Sequence, residues 1–240
     1  MQKSPYHFYI KQIIVLIVSA LVLISLFDLT PLDTMISDWF FDPITKHFPL
    51  RDQWFLETVM HKWVKYALLM WGAWLVIRLI RPGVAKHLAN EKRRTVGFLL
   101  ASLLLVPTVV GVMKHYSERP CPWDSTRYGG AIPHITLFES LPAGTKLGRC
   151  FPGGHASGGF GLMALVLLAR KKSKIAAVST FVATFGLGML MGAGQVLRGA
   201  HFVSHNFWSA WVAWVVILIL YWLFIGRYEI KQSRSNISAI

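Results

Sequence analysis

Apolar residues in this chain gather in long blocks separated by short polar stretches. Six blocks stand out, at roughly 11–28, 62–80, 95–113, 156–170, 175–197 and 206–225. A helix that crosses a bilayer needs about 20 apolar residues, so each block predicts a membrane helix. The fourth is short, and its glycine-rich start is expected at the interface. The first block is long and no small-x-small cleavage site follows it, so it reads as a retained helix and not as a secretion signal. The predicted fold class is an all-α membrane protein with six transmembrane helices in one domain over 1–240.

The polar stretches give the orientation. With six spans, both termini share a side with the segments near 81–94 and 171–174. That side carries 15 of the 25 lysines and arginines, among them Lys3, Arg81, Lys86 and Arg234. The dense runs "EKRR" and "RKKSK" abut predicted span ends. The positive-inside rule then makes both termini cytoplasmic. The opposite face receives 29–61, 114–155 and the turn near 198–205. Segment 29–61 ("LTPLDTMISDWFFDP" and beyond) reads as interfacial or re-entrant, and 229–240 as a polar mobile tail. Composition agrees with the membrane reading: 54% of residues are hydrophobic and 15% charged, against about 25% charged in soluble domains. The net charge of +14 is largely absorbed by topology. What remains suits anionic lipid or phosphate.

Three outer-face stretches carry candidate chemistry: "KHYSERPCPWD" at 114–124, "PGGHAS" at 152–157 and "LRGAHFVSHN" at 197–206. Ionisable groups at membrane depth are costly and usually functional. Arg198, His201 and His205 fall at i, i+3 and i+7, so on a helix they share one face. Arginine presents a planar fork suited to phosphate, and a neutral imidazole held in one tautomer can attack phosphorus. His201 and His205 also have the i, i+4 spacing of zinc ligands. The glutamate of the H-E-x-x-H pattern is missing, however, and cations crowd the face, so no metal is expected. Glycines at 153 and 154 let backbone approach an anion at a helix start.

Taken in order, these stretches resemble the type 2 phosphatidic acid phosphatase superfamily over about 95–225. Its pattern is K-x6-R-P, then P-S-G-H, then S-R-x5-H-x3-D. Here the corresponding positions are Lys114-x6-Cys121-Pro122, then Pro152-Gly153-Gly154-His155, then Gly194-Gln195-x5-His201-x3-His205. Cys121 stands at the first arginine position, with Arg119 two residues earlier. Gln195 stands at the second, with Arg198 three residues later. Gly153 replaces the serine and His205 the final aspartate.

The resemblance implies a metal-independent lipid phosphate phosphatase without a cofactor, with its site at the outer face. His201 would be the nucleophile, His155 the acid for the leaving group, and His205 the group that orients His201, with Glu118 or Asp124 as a possible carboxylate. Lys114, Arg119, Arg198, Gly153 and Gly154 would hold phosphate. The implied partners are a phosphorylated lipid and the bilayer, with no nucleic acid. The implied location is a bacterial inner membrane with the site facing the periplasm. Transfer of phosphate to a lipid acceptor, and lipid-phosphate binding or transport without catalysis, are the alternatives. The two cysteines, Cys121 and Cys150, lie in one outer loop, and in an oxidising compartment they are expected to form a disulfide.

Overall fold

The computed structural model describes residues 6–80 and 90–231. Lys3, Arg81, Lys86, Arg234 and the tail beyond Lys231 lie outside the described residues. Every regular element among them is helical, and the remaining ladder pairing is limited to isolated bridges such as Asp42–His47. The order is α1 (Tyr6–Phe27), α2 (Leu32–Asp38), a π-helical stretch Phe55–Trp63 leading into α3 (Val64–Ile80), and α4 (Asn90–Tyr116). Then come α5 (Gly154–Phe160), a 3₁₀ turn Gly161–Met163, α6 (Ala164–Ala169), α7 (Lys174–Leu197) and α8 (Val203–Tyr221). A second π-helical stretch, Trp222–Gly226, extends α8, and the chain stays helical through Lys231, into the segment expected to be a tail.

Among the described residues, four segments are long and apolar enough to cross a membrane: Tyr6–Phe27, Asn90–Tyr116, Lys174–Leu197 and Val203–Lys231. Two predicted spans give shorter apolar helices, Tyr66–Arg78 and Gly154–Ala169. In the first, the helix itself runs on from Phe55 to Ile80, and the apolar stretch of its sequence is bounded by Lys65 and Arg78. The second is interrupted where Gly158, Gly159 and Gly161 cluster, residues that weaken a helix interior. Those glycines serve packing instead. A Cβ added to Gly159 would come within 2.9 Å of the Gly188 Cα, so α5 and α7 cross backbone to backbone. Close crossings of small residues are the usual contact between membrane helices.

The core gathers around Phe98, Phe160, Ala213, Ile217 and Tyr221. In its most apolar window α8 is 56% buried and α1 only 11%, which makes α8 the central post and α1 a peripheral one. Ile13, Ile17 and Leu21 on α1 and Met70 on α3 face outward, an apolar surface suited to lipid.

The helices have two chemically distinct ends. At one, the Arg94 guanidinium lies 3.3 Å from the Tyr228 ring centroid, Lys171 pairs with Glu229 at 2.6 Å, and Arg170 donates to the Tyr221 hydroxyl at 3.0 Å. At the other, the last turn of α4 meets the starts of α5 and α8. Segment 29–61 covers this second end. Within α2 the polar Asp33 and Ser37 are buried, while Met35 and neighbouring Trp39 are exposed, the reverse of a helix on a water-facing surface.

Candidate active site

Lys114 occupies the last turn of α4, His155 the first turn of α5, and Arg198 caps the C-terminus of α7. Arg198, His201 and His205 do not share one helix. Gly199 adopts φ +72°, a left-handed conformation that ends α7, and α8 starts only at Val203. The turn is fixed from several sides. The Phe48 ring would lie 2.3 Å from any Cβ at position 199, the Gly199 carbonyl accepts from the Trp123 amide at 3.1 Å, and the Gln195 carbonyl accepts from the amides of Ala200 and His201. Glycine here meets both the backbone angle and the close approach.

Despite the turn, the groups converge. Lys114, His155, Arg198 and His201 line one cavity of about 210 Å³, together with Gln195 and Glu57. The His155 and His201 ring centroids are 5.8 Å apart. His201 is nearly buried. Burial first, then the charges of Lys114 and His155, hold its imidazole well below the usual histidine range, so the ring is neutral at physiological pH. Nδ1 of His201 lies 3.3 Å from Nδ1 of His205, which sits fully buried behind it.

The remaining sequence candidates are distributed differently. Arg198 donates through Nε to the Arg51 carbonyl at 2.5 Å, and its Nη2 is 4.0 Å from Glu57. Arg119 does not line the cavity. It turns away, pairs with Asp28 at 3.6 Å, and lies over the Phe151 ring at 4.7 Å. The reason is charge: a buried guanidinium seeks a carboxylate, and Asp28 makes the ion pair, with Asp33 and Glu139 acting on it from further off. The Gly153 amide donates to the His205 carbonyl at 2.9 Å, so it is committed to the fold and not to a ligand. A Cβ at position 153 would fall 2.8 Å from Asn206 Oδ1, which accounts for glycine at that position. Gly154 is the first residue of α5, where helical amides lack an internal partner. Glu118 accepts from the Leu141 amide and Asp124 from the Trp123 indole, and neither lines the cavity that holds His155 and His201.

Cys121 and Cys150 are joined by a disulfide, with Cα atoms 5.2 Å apart. It pins the loop after α4 to the start of α5. The Cys150 sulfur is 3.3 Å from Nδ1 of His201. Cys121, Cys150 and His201 crowd together, with their ligand-type atoms within 4.8 Å of one another. The bonded sulfurs are not thiolates, the form that binds metal.

Four contributors escaped the sequence reading: Glu57 and the Arg51 carbonyl, which hold Arg198, and the buried Asp28 and Asp33. All come from segment 28–57, before the motif-bearing region. The signal was present in Asp28 and Asp33, two acids at the end of the first apolar block and just past it, where a buried charge demands a partner.

A family model described as the PAP2 superfamily matches residues 95–229, more than half of the chain. No curated protein and no solved structure matches it.

Proposed function

The chain belongs to the PAP2 superfamily, a family of phosphatases acting on phosphate esters, and from that membership we propose that it removes phosphate from a membrane lipid without metal. Nε2 of neutral His201 attacks phosphorus. The bond from phosphorus to the lipid oxygen breaks, and His155 gives its proton to that oxygen. Water, losing a proton to His155, then attacks the phosphohistidine, releases phosphate and restores His201. Lys114, Arg198 and the Gly154 amide face the developing charge on the three equatorial oxygens. These cations already supply the neutralisation that a metal would bring.

One observation carries the lipid reading. A second cavity of about 540 Å³ lies against the first and shares His155 with it. Its walls are apolar: Leu68, Leu69 and Val76 from α3, and Leu100, Leu103 and Leu104 from α4. A phosphate held at His201 therefore has a hydrocarbon slot beside its leaving group. A water-soluble ester would leave that slot unfilled.

The proposed topology has six spans, both termini cytoplasmic and the site at the outer face. It is supported by the separation of the basic cluster around Arg94, Arg170 and Lys171 from the end that holds His155 and His201.

The test is a metal-free assay of the purified protein with a panel of phosphorylated lipids and a short-chain soluble phosphate monoester. Release of inorganic phosphate, faster from the lipids, is expected. A second phosphorylated lipid would instead mark phosphotransfer. Binding without turnover would mark a lipid-phosphate carrier.

A further inference from the structure

A nucleophilic histidine must hold its own proton on the nitrogen that does not attack. For His201 that nitrogen is Nδ1, and the imidazole nitrogen facing it is Nδ1 of His205, 3.3 Å away. If His201 donates, His205 accepts at Nδ1 and carries its proton on Nε2. That Nε2 is fully buried and has no hydrogen-bond partner among the described residues. The relay thus ends on a donor that requires an acceptor, and on attack His201 gains a positive charge inside the protein.

Two buried carboxylates pack around the neighbours of His205, and both come from outside the family-matched region. Asp33 on α2 is 2% exposed, and its Oδ1 accepts from the backbone amide of Ser204, the residue before His205, at 2.8 Å. Asp28 pairs with Arg119, whose guanidinium lies over Phe151, and the Phe151 ring meets the His205 ring edge-on at 5.4 Å. Among the described residues, the second carboxylate oxygen of Asp28 is buried without a hydrogen-bond partner, and the Asp33 carboxylate is held by Ser204 alone. Two carboxylates set against one guanidinium leave one surplus negative charge in the layer that contacts Ser204 and Phe151, the neighbours of His205.

We propose that Asp33, with the Asp28–Arg119 pair beside it, supplies the negative charge that positions His205 and balances the charge His201 acquires on attack. Asp33 is then a positioning residue acting through His205, and Arg119 belongs to this support and not to the phosphate cradle. The proposal rests on the reading of His201 as nucleophile. Burial pushes the Asp33 carboxyl up to about 6, so the surplus charge is present above that pH and lost below it. His201, His205, His134, Arg119, Asp28, Lys114 and Glu139 are the other titratable groups around the cluster.

The test uses the full-length protein in detergent or bilayer. Asp33→Asn keeps the acceptor for the Ser204 amide and removes the charge. It is expected to lower kcat on the order of 100-fold, to leave KM nearly unchanged, and to remove the component of the acid limb near pH 6. Asp42→Asn, an equivalent change in the exposed part of the same segment, leaves all three as in wild type. His205→Asp puts a carboxylate directly beside His201, so in that background Asp33→Asn should cost less than about threefold. A merely structural Asp33 would cost the same in both backgrounds. Wild-type kcat and an unchanged acid limb in Asp33→Asn overturn the proposal. An Asp33→Asn variant that fails to fold, or that is both less stable and less active than wild type, makes Asp33 a structural residue and also overturns the proposal. His201→Ala is run in parallel. Turnover in that variant defeats the nucleophile reading itself, whereas an inert His201→Ala beside a fully active Asp33→Asn defeats this inference alone.

Discussion

Nδ1 of His201 lies 3.3 Å from both the Nδ1 of His205 and the sulfur of Cys150. The disulfide is therefore packed against the back of the candidate nucleophile. With 29 residues of sequence separation between its cysteines, it should stabilise the folded chain by about 3–4 kcal/mol. Cys121→Ser with Cys150→Ser is expected to lower stability by that amount, and to lower kcat as well because the loop no longer braces His201. Unreduced peptide mapping checks the cross-link. Thermal unfolding and turnover of the double variant check its two consequences.

The two arginines should respond in opposite ways. Arg198 lines the cavity and is held there by the Arg51 carbonyl and Glu57. Arg198→Lys loses the planar fork and is expected to lower kcat/KM by about tenfold or more at wild-type stability. Arg119→Ala leaves Asp28 buried without its partner, a change that costs about 3–5 kcal/mol. Unfolding curves should register it before any effect on phosphate affinity. Kinetics and thermal denaturation of both variants, run side by side, separate a ligand-facing arginine from an internal one.

Asp33 should show a trade between stability and rate. Its carboxyl is raised from 3.8 to about 6 by burial, so the folded state binds the proton more tightly than the unfolded chain. Stability from this group is fully present below pH 3.8 and is lost as pH rises to about 6. Above that, ionised Asp33 costs the fold about 3 kcal/mol. Asp33→Asn removes that cost, so at pH 8 it should unfold at the same temperature as wild type or higher, although it turns over more slowly. A variant that is both less stable and less active would make Asp33 an ordinary structural residue.

The apolar cavity gives a substrate-selective prediction. Gly72 lines it, and a Cβ there meets nothing within 4 Å. Gly72→Leu places a side chain in the slot without a backbone clash. Turnover of long-chain phosphorylated lipids should fall at least several-fold more than that of a short-chain ester. Equal losses on both would mean that the cavity does not hold the lipid tail.

Most of this arrangement was legible in the chain. The positions of Lys114, His155, Arg198 and His201 follow from motif order, because each motif lies where an apolar block ends and helix ends must meet. The direction of Arg119 was not legible. Its sequence distance from Cys121 suggests a displaced phosphate ligand, but the choice between an outer anion and a buried carboxylate depends on Asp28, 91 positions away in sequence. The single-helix reading of 198–205 failed for a local reason. Gly199 takes a positive φ against Phe48, and a spacing rule cannot register that contact. The short second and fourth apolar runs have local causes too, charged residues bounding one within a longer helix and clustered glycines interrupting the other.

The most direct measurement is rapid-quench trapping during turnover of a phosphorylated lipid, followed by peptide mapping. Acid-labile, base-stable phosphate on His201 is expected in wild type. In His155→Ala the intermediate should be slow to form or slow to clear, with overall turnover nearly abolished, and His201→Ala should carry no label and release no phosphate. Phosphate trapped on another residue, or phosphate release by His201→Ala at a rate near wild type, would contradict the account.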